Sequence, residues 1–247
     1  MSLKRLGLLR SGMIDYPGCV AAVLFTMGCP LRCPYCHNPE LIHGSPPEHF
    51  LPQDEVLEYL HRRRSLLQGV VITGGEPLRH HDLPDLIQAI GDLGLQVKVD
   101  TSGIYPGALQ GILQLEAVQY VAMDMKTLPH YYHRVLPGVP AGSTRGKGME
   151  EKILQSIRLL RSWRDEQQGR ELEFRTTCVP GIINPEDLPE LSRLLCPGDT
   201  WTLTQFRPGR SLDPAFDTIP LHPDNLLTQT AEAACRTGIR AATRGTA

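Results

Sequence analysis

The chain has 247 residues, of which 41% are hydrophobic and 21% charged, with a formal net charge of −2. That length supports one large domain, or two small ones, with a sizeable core, and the composition is that of a globular protein. The charge gives no electrostatic case for nucleic acid or an anionic membrane, and no apolar run approaches the length of a membrane span. The N-terminus, MSLKRLGLLRSGMIDYPG, lacks the apolar region and cleavage site of a signal peptide. Seven cysteines, three of them clustered, point to a reducing cytoplasmic compartment and a metal site rather than a disulfide framework.

In chain order the pattern is one of alternation. Val20 to Thr26 is a continuous apolar run and reads as a buried strand. Pro52 to Arg64 has helical spacing, with Val56, Leu57 and Leu60 on one face. Gly69 to Thr73 is a second strand. Asp82 to Leu93 is a helix with Asp82 as N-cap, Pro84 in the first turn and Gly94 as its stop. Leu95 to Asp100 and Ala117 to Met123 are strands on either side of a short helix near Ala108 to Leu115. Glu150 to Arg164 is a long amphipathic helix, Glu171 to Thr177 a strand, and Pro185 to Leu195 a helix capped by Asn184. Trp201 to Phe206 is a sixth strand, Asp224 to Thr237 a last helix, and Ile239 to Thr243 a short final strand.

Strands alternating with helices imply βα units and a parallel sheet. About six such units suggest an α/β fold built as a partial (β/α)6-type TIM barrel, with a doubly wound sheet as the alternative. No linker divides the chain, so residues 1–247 are expected to form a single domain. Its core runs from about residue 18 to 207, and residues 208–247 add a helix and a short strand. Thr127 to Gly148 is long for a connection and rich in Gly and Pro, which suits either a functional loop or a solvated one.

The chemistry concentrates in Met27 to Asn38, MGCPLRCPYCHN, where Cys29, Cys33 and Cys36 are spaced Cys-x3-Cys-x2-Cys. An ordinary ferredoxin cluster takes four thiolates. Three leave one metal position open for reaction. The rival is a structural zinc site completed by His37 or His43, but His37 is adjacent to Cys36 and no second cysteine pair exists. The loop leaves the end of a strand, where α/β folds place their sites. Other strand ends carry Gly74-Gly75-Glu76-Pro77, Asp100-Thr101-Ser102-Gly103, Asp124-Met125-Lys126 and Arg175. This set suits a ligand with an ammonium, a carboxylate and hydroxyls. Glu76 and backbone carbonyls can accept from the ammonium, and Gly74 and Gly75 allow close approach. Asp100 can meet a ribose hydroxyl, or join Asp124 around a cation. Lys126 and Arg175 can neutralise a carboxylate, and Tyr35 offers a flat face to a purine.

The cysteine spacing, with an aromatic before the last cysteine and GGEP after the next strand, resembles the radical S-adenosyl-L-methionine (SAM) superfamily. The stretch Ser11 to Ile42 is similar to the anaerobic ribonucleoside-triphosphate reductase activating proteins. The DMK at Asp124 to Lys126 and FRTTCVPG at Phe174 to Gly181 resemble the wider glycyl-radical-enzyme activases, including pyruvate formate-lyase activase. The resemblance implies a 4Fe-4S cluster on Cys29, Cys33 and Cys36, its fourth iron chelated by SAM. It implies cleavage of SAM to methionine and a 5′-deoxyadenosyl radical, which takes a hydrogen from a glycine of a partner enzyme. By the same resemblance Gly74, Gly75 and Glu76 meet the SAM ammonium, Tyr35 the adenine, and Asp100, Thr101 and Ser102 the methionine and ribose end. Asp124 and Lys126 match the activase Asp-x-Lys, and Arg175 a strand arginine near SAM. In some activases the aspartate positions hold a monovalent cation, a further cofactor the resemblance admits. The implied partners are a glycyl radical enzyme, foremost anaerobic ribonucleotide reductase, and a low-potential flavodoxin or ferredoxin. A radical SAM enzyme of the 7-carboxy-7-deazaguanine synthase type is the alternative. Cys178, Cys196 and Cys235 are expected as packed thiols.

Overall fold

The computed structural model describes residues 3–136, 138, 140 and 143–246. By contacts the chain divides into two compact units, Met1–Pro30 with Glu40–Ala122 and Gln155–Glu171, and Leu31–Pro39 with Met123–Leu154 and Leu172–Ala247.

In the first unit, β1 (Arg5–Gly12), β2 (Ala21–Thr26), β3 (Leu51–Pro52), β4 (Gly69–Gly74), β5 (Gln96–Thr101) and β6 (Val118–Asp124, whose last residues belong to the second unit) lie in the order β3-β1-β2-β4-β5-β6. β2, β4 and β5 are parallel. Their apolar runs are buried on both faces, so the sequence shows no alternation there. The N-terminal segment, which the sequence reading left without structure, forms the antiparallel strand β1, with a register shift between Leu9 and Gly12. Leu3 and Leu6 are buried. The two-residue β3 ends at Pro52, which cannot extend a ladder, and this blunts the sheet edge.

Helices α1 (Gln53–Arg63), α2 (Leu83–Gly91) and α3 (Pro106–Ile112) fall close to the expected positions. On α2 the buried residues Leu83, Leu86, Ile87 and Ile90 recur at helical spacing. Asp82 precedes α2 but does not cap it with its side chain. Its carboxylate instead accepts the Leu3 N–H at 2.8 Å, which ties down the N-terminal segment.

Helix α4 (Thr144–Glu166) starts six residues before the position expected from sequence. Ser143 explains the difference: its hydroxyl accepts the Gly146 N–H at 3.2 Å, an N-cap that overrides the glycines of the first turn. A 3-10 turn over Pro129–Arg134 further shortens the long connection expected over Thr127 to Gly148. Pro137, Val139, Ala141 and Gly142 of that connection lie outside the described residues.

The second unit carries β7 (Glu171–Cys178, whose first residue belongs to the first unit), β8 (Thr200–Gln205) and β9 (Arg240–Arg244), parallel and adjacent in that order, with α5 (Asp187–Arg193) and α6 (Asp224–Cys235). Trp201 is fully buried and its indole N–H donates to Thr176 Oγ1 at 3.0 Å. Asn184 does not cap α5 with its side chain; its backbone N–H donates to the Asp187 carboxylate at 2.8 Å. Apart from β1 and β3 at the edge, the β-strands of each unit lie side by side in chain order, β2-β4-β5-β6 in the first and β7-β8-β9 in the second. That is the order of a (β/α) barrel, and it sets aside the doubly wound alternative.

Candidate functional site

The chain entering the cysteine run is fixed by backbone bonds in the first unit. Gly75 N–H donates to Thr26 O at 2.8 Å and Glu76 N–H to Gly28 O at 2.9 Å. Gly28 and Cys29 donate their own N–H groups to Leu41 O and Ile42 O, at 2.7 and 2.9 Å. His80, which sequence reasoning passed over, bonds Met27 O through Nε2 at 2.7 Å. The glycines serve this contact. A Cβ on Gly75 would stand 2.4 Å from Gly28 O, and one on Gly74, at φ +113°, 2.4 Å from Thr26 N. In this structure their missing Cβ admits the backbone of the cysteine loop.

Glu76 is almost fully buried, and its carboxylate is fully engaged. Oε1 accepts from Thr101 Oγ1 at 2.8 Å and Leu78 N at 3.2 Å; Oε2 accepts from Ser102 N at 2.8 Å and from the Ser102 hydroxyl. Four donors fill the capacity of a carboxylate. Glu76 therefore has no lone pair left for an ammonium, and the Thr101 and Ser102 side chains are held by Glu76 rather than open to a ligand. Burial pushes the Glu76 carboxyl upward, and the bonds from Ser102, Thr101 and Leu78 pull it part of the way back. Asp100 lies beside this network on β5, its Oδ1 2.6 Å from Lys98 Nζ. Tyr105 stands close enough to feel the charges of Arg79, Glu76 and Cys29, and burial raises its hydroxyl.

Cys33, Tyr35 and Cys36 belong to the second unit, and different forces hold them. Arg32 N–H donates to Val135 O at 2.8 Å, Leu212 N–H to Cys36 O at 3.1 Å and Asp213 N–H to Pro34 O at 2.8 Å. The His37 ring stacks on Phe206, with centroids 5.6 Å apart and planes at 16°, while its Nε2 bonds Arg207 O at 2.8 Å. Tyr35 meets the same phenyl ring near-perpendicularly at 6.3 Å and is buried. Phe206, fully buried, is the residue that sequence reading placed only as a strand end.

Asp124 accepts from Arg175 Nε through Oδ1 at 2.7 Å and from Lys126 Nζ through Oδ2 at 2.9 Å. Burial alone would raise this carboxyl. The Arg175 charge, aided by Lys126, outweighs burial and holds it well below the usual carboxylate range. Burial likewise pulls the Lys126 ammonium down, and the charges of Asp124 and Cys33 carry it above its ordinary value. The Tyr132 hydroxyl accepts the Lys126 N–H at 3.4 Å. The three residues expected to share a ligand are in this structure partners of one another.

All seven cysteines are outside disulfides. Cys178 is packed as expected, and burial pushes its thiol up to about 12. Cys196 and Cys235 are exposed, against the expectation that they are packed, because one sits in a turn and the other at the end of α6. Among the described residues no three His, Cys, Asp or Glu side chains are gathered as a single-ion site. A four-iron cluster does not require one, since each thiolate bonds a different iron. Three thiols within eight residues, on backbone fixed at Cys29 and again at Pro34 and Cys36, suit such a cluster. Among the described residues no helix is long and apolar enough to cross a membrane.

Comparison with known proteins adds the family. Residues 23–195 match the model of the radical SAM superfamily. A protein of Methanocaldococcus jannaschii named as a glycyl-radical enzyme activating enzyme is 27% identical over 233 residues, covering 92% of this chain and 90% of that one. The pyruvate formate-lyase-activating enzyme of Clostridium pasteurianum is 30% identical over 190 residues, covering 74% and 72%. Among solved structures, Streptococcus suis SuiB bound to S-adenosylmethionine matches at a TM-score of 0.63 and 16% identity, over 90% of this chain and 50% of that one. The chain spans about half the length of SuiB, and the likeness is one of fold.

Proposed function

Because this chain belongs to the glycyl-radical-enzyme activating branch of the radical SAM superfamily, we propose that it installs a glycyl radical on anaerobic ribonucleoside-triphosphate reductase. The family implies a 4Fe-4S cluster and SAM as cofactors. When bound, they supply the reductive cleavage of SAM that yields methionine and a 5′-deoxyadenosyl radical. Cys29, Cys33 and Cys36 hold the cluster in this reading.

The observation that carries the reading is the turn at Gly74 to Glu76. Its N–H groups clamp Thr26 and Gly28, and its Glu76 carboxylate is locked by Thr101 and Ser102. That lock fixes the backbone on both sides of Glu76, and the carbonyls of Gly74 and Gly75 then accept from the SAM ammonium. By the resemblance Tyr35 meets the adenine. Asp100 takes the ribose, and Arg175 and Lys126, already ionised against Asp124, border the SAM carboxylate. A monovalent cation is the less favoured reading of the aspartates, since each already has a cationic side chain within 2.9 Å. We assign the whole chain, 1–247, to one radical SAM domain that acts in the cytoplasm with a flavodoxin or ferredoxin as donor. We assign no nucleic-acid or membrane partner. The choice of ribonucleotide reductase rests on the stretch Ser11 to Ile42. Pyruvate formate-lyase is the second reading, favoured by the C. pasteurianum relative. A small-molecule reaction of the 7-carboxy-7-deazaguanine synthase type has less support, because the relative matched over nearly its whole length bears an activase name.

The test is anaerobic purification, reconstitution with iron and sulfide, reduction, and assay of 5′-deoxyadenosine beside Cys33→Ala. About four irons per chain are expected, with cleavage lost in the variant. Electron paramagnetic resonance with each candidate partner then reads the glycyl radical doublet. A doublet on pyruvate formate-lyase alone replaces the first partner with the second. Stoichiometric zinc without cleavage overturns the assignment.

A further inference from the structure

The hydroxyl of Tyr35 has no part in the reading so far. A buried tyrosine ordinarily gives its O–H an acceptor, because a phenol taken out of water without one forfeits its hydration. Tyr35 is 6% exposed. Its ring is set against Phe206, and the chain around it is fastened by the bonds from Asp213 to Pro34 O and from Leu212 to Cys36 O. Yet no nitrogen or oxygen among the described residues accepts from the hydroxyl. What lies beside it is sulfur. Cys33 is two residues back in the same turn, which the Cys36 N–H closes onto Cys33 O at 3.0 Å, and it too is buried. Burial pushes the Tyr35 hydroxyl well above its ordinary value; next in size is the negative charge of Cys33, and a side-chain hydrogen bond with Cys33 acts in the same direction. That sign fixes the roles: the phenol keeps its proton as donor, and the sulfur accepts. Packing does not explain the hydroxyl, because phenylalanine would fill the place against Phe206 without a polar atom to satisfy.

We infer that the Tyr35 hydroxyl donates to the Cys33 sulfur at the cluster and so raises the cluster's reduction potential. The inference rests on the reading of Cys33 as a cluster ligand. Reduction brings in one electron from the low-potential donor and no proton, so the cluster with its thiolates becomes more negative by one charge. A donor aimed at one of those sulfurs is held more strongly after reduction than before it, and hydrogen bonds to the sulfurs are among the levers that set such potentials. The ring and the hydroxyl of Tyr35 thus have separate tasks, the ring toward adenine by the resemblance and the hydroxyl toward sulfur.

The test is a redox titration of the reconstituted full-length protein, wild type beside Tyr35→Phe, followed by the electron paramagnetic resonance signal of the reduced cluster, with iron content measured alongside. SAM is left out, so that the adenine contact does not enter. The one-electron reduction constant of Tyr35→Phe is expected to fall about fivefold, as loss of one hydrogen bond does, which moves the midpoint about 40 mV more negative. A loaded Tyr35→Phe with the wild-type midpoint, or a more positive one, overturns the inference. A second variant keeps the question open to experiment where phenylalanine disturbs folding or iron uptake. Fluorotyrosine inserted at position 35 keeps the hydroxyl and makes it a stronger acid and a stronger donor, so the midpoint should move the other way, above wild type. A midpoint that stays or falls in that protein also overturns the inference. Wild-type protein that takes up no iron would defeat the reading of the cysteines as cluster ligands, and the inference with it, whereas a loaded wild type with an unresponsive midpoint defeats the inference alone.

Discussion

Glu76 and Asp124 are both carboxylates beside strand ends, yet their acidities move in opposite directions. Glu76 is surrounded by neutral donors, and burial still raises it. Asp124 faces Arg175 and Lys126, and those charges overcome burial and lower it. Neutral hydrogen bonds orient an anion, but opposite charge is what stabilises its ionised form against desolvation. The two sites therefore serve different ends: the network at Glu76 sets backbone geometry, and the cluster at Asp124 sets charge.

The comparison can be broken most severely at Glu76. Glu76→Ala leaves four donors without an acceptor in a dry site, and urea unfolding should show a loss of about 3 kcal/mol. Arg175→Met removes one of the two cations from Asp124. The Asp124 and Arg175 side chains keep 27% and 21% of their surface open, so solvent softens the loss to about 1.5 kcal/mol in the same measurement. His80→Ala deletes the bond to Met27 O and should cost about 1 kcal/mol. The gentlest probe is pH, which changes a slope rather than a level. Glu76, raised in the fold, makes the native state bind the extra proton, so its contribution falls as pH rises above about 4.3, the unfolded value. Asp124, lowered in the fold, stabilises above about 3.9 and loses that stabilisation as pH drops further. Unfolding of metal-free protein across this range should show Glu76→Gln flattening the limb above pH ~4.3 and Asp124→Asn the limb below pH ~3.9. Identical profiles for the two variants would remove the distinction between the sites.

Much of this arrangement was legible in the sequence. The apolar runs at residues 20–26 and 69–73 match β2 and β4 closely because parallel strands buried on both faces leave a continuous signature. β1 escaped because RLGLLRSG mixes charges and glycines, and half of it is exposed. The start of α4 escaped because its serine cap precedes a glycine-rich first turn. At the site, the residues of the motifs were found but their partners were not. Side chains assigned to a ligand take one another as partners, Thr101 and Ser102 donating to Glu76 and Lys126 and Arg175 to Asp124, and spacing along a chain does not reveal pairing across it. His80, Lys98 and Phe206 had no motif to mark them. His80 acts over a long sequence separation, 53 residues from Met27, and the bond from His37 to Arg207, beside Phe206, spans 170.

The bonds of Leu212 and Asp213 to Cys36 and Pro34 carry a consequence for biosynthesis. A ribosome makes Cys36 early but the residues that fasten it late, some 175 residues on. At roughly 5–20 residues per second the thiols of Cys33 and Cys36 wait about 10–35 s for their backbone partners. Cluster loading is then an event of the finished chain. Truncations that stop short of residue 213 should emerge with these cysteines open to alkylation, and full-length chains with them shielded.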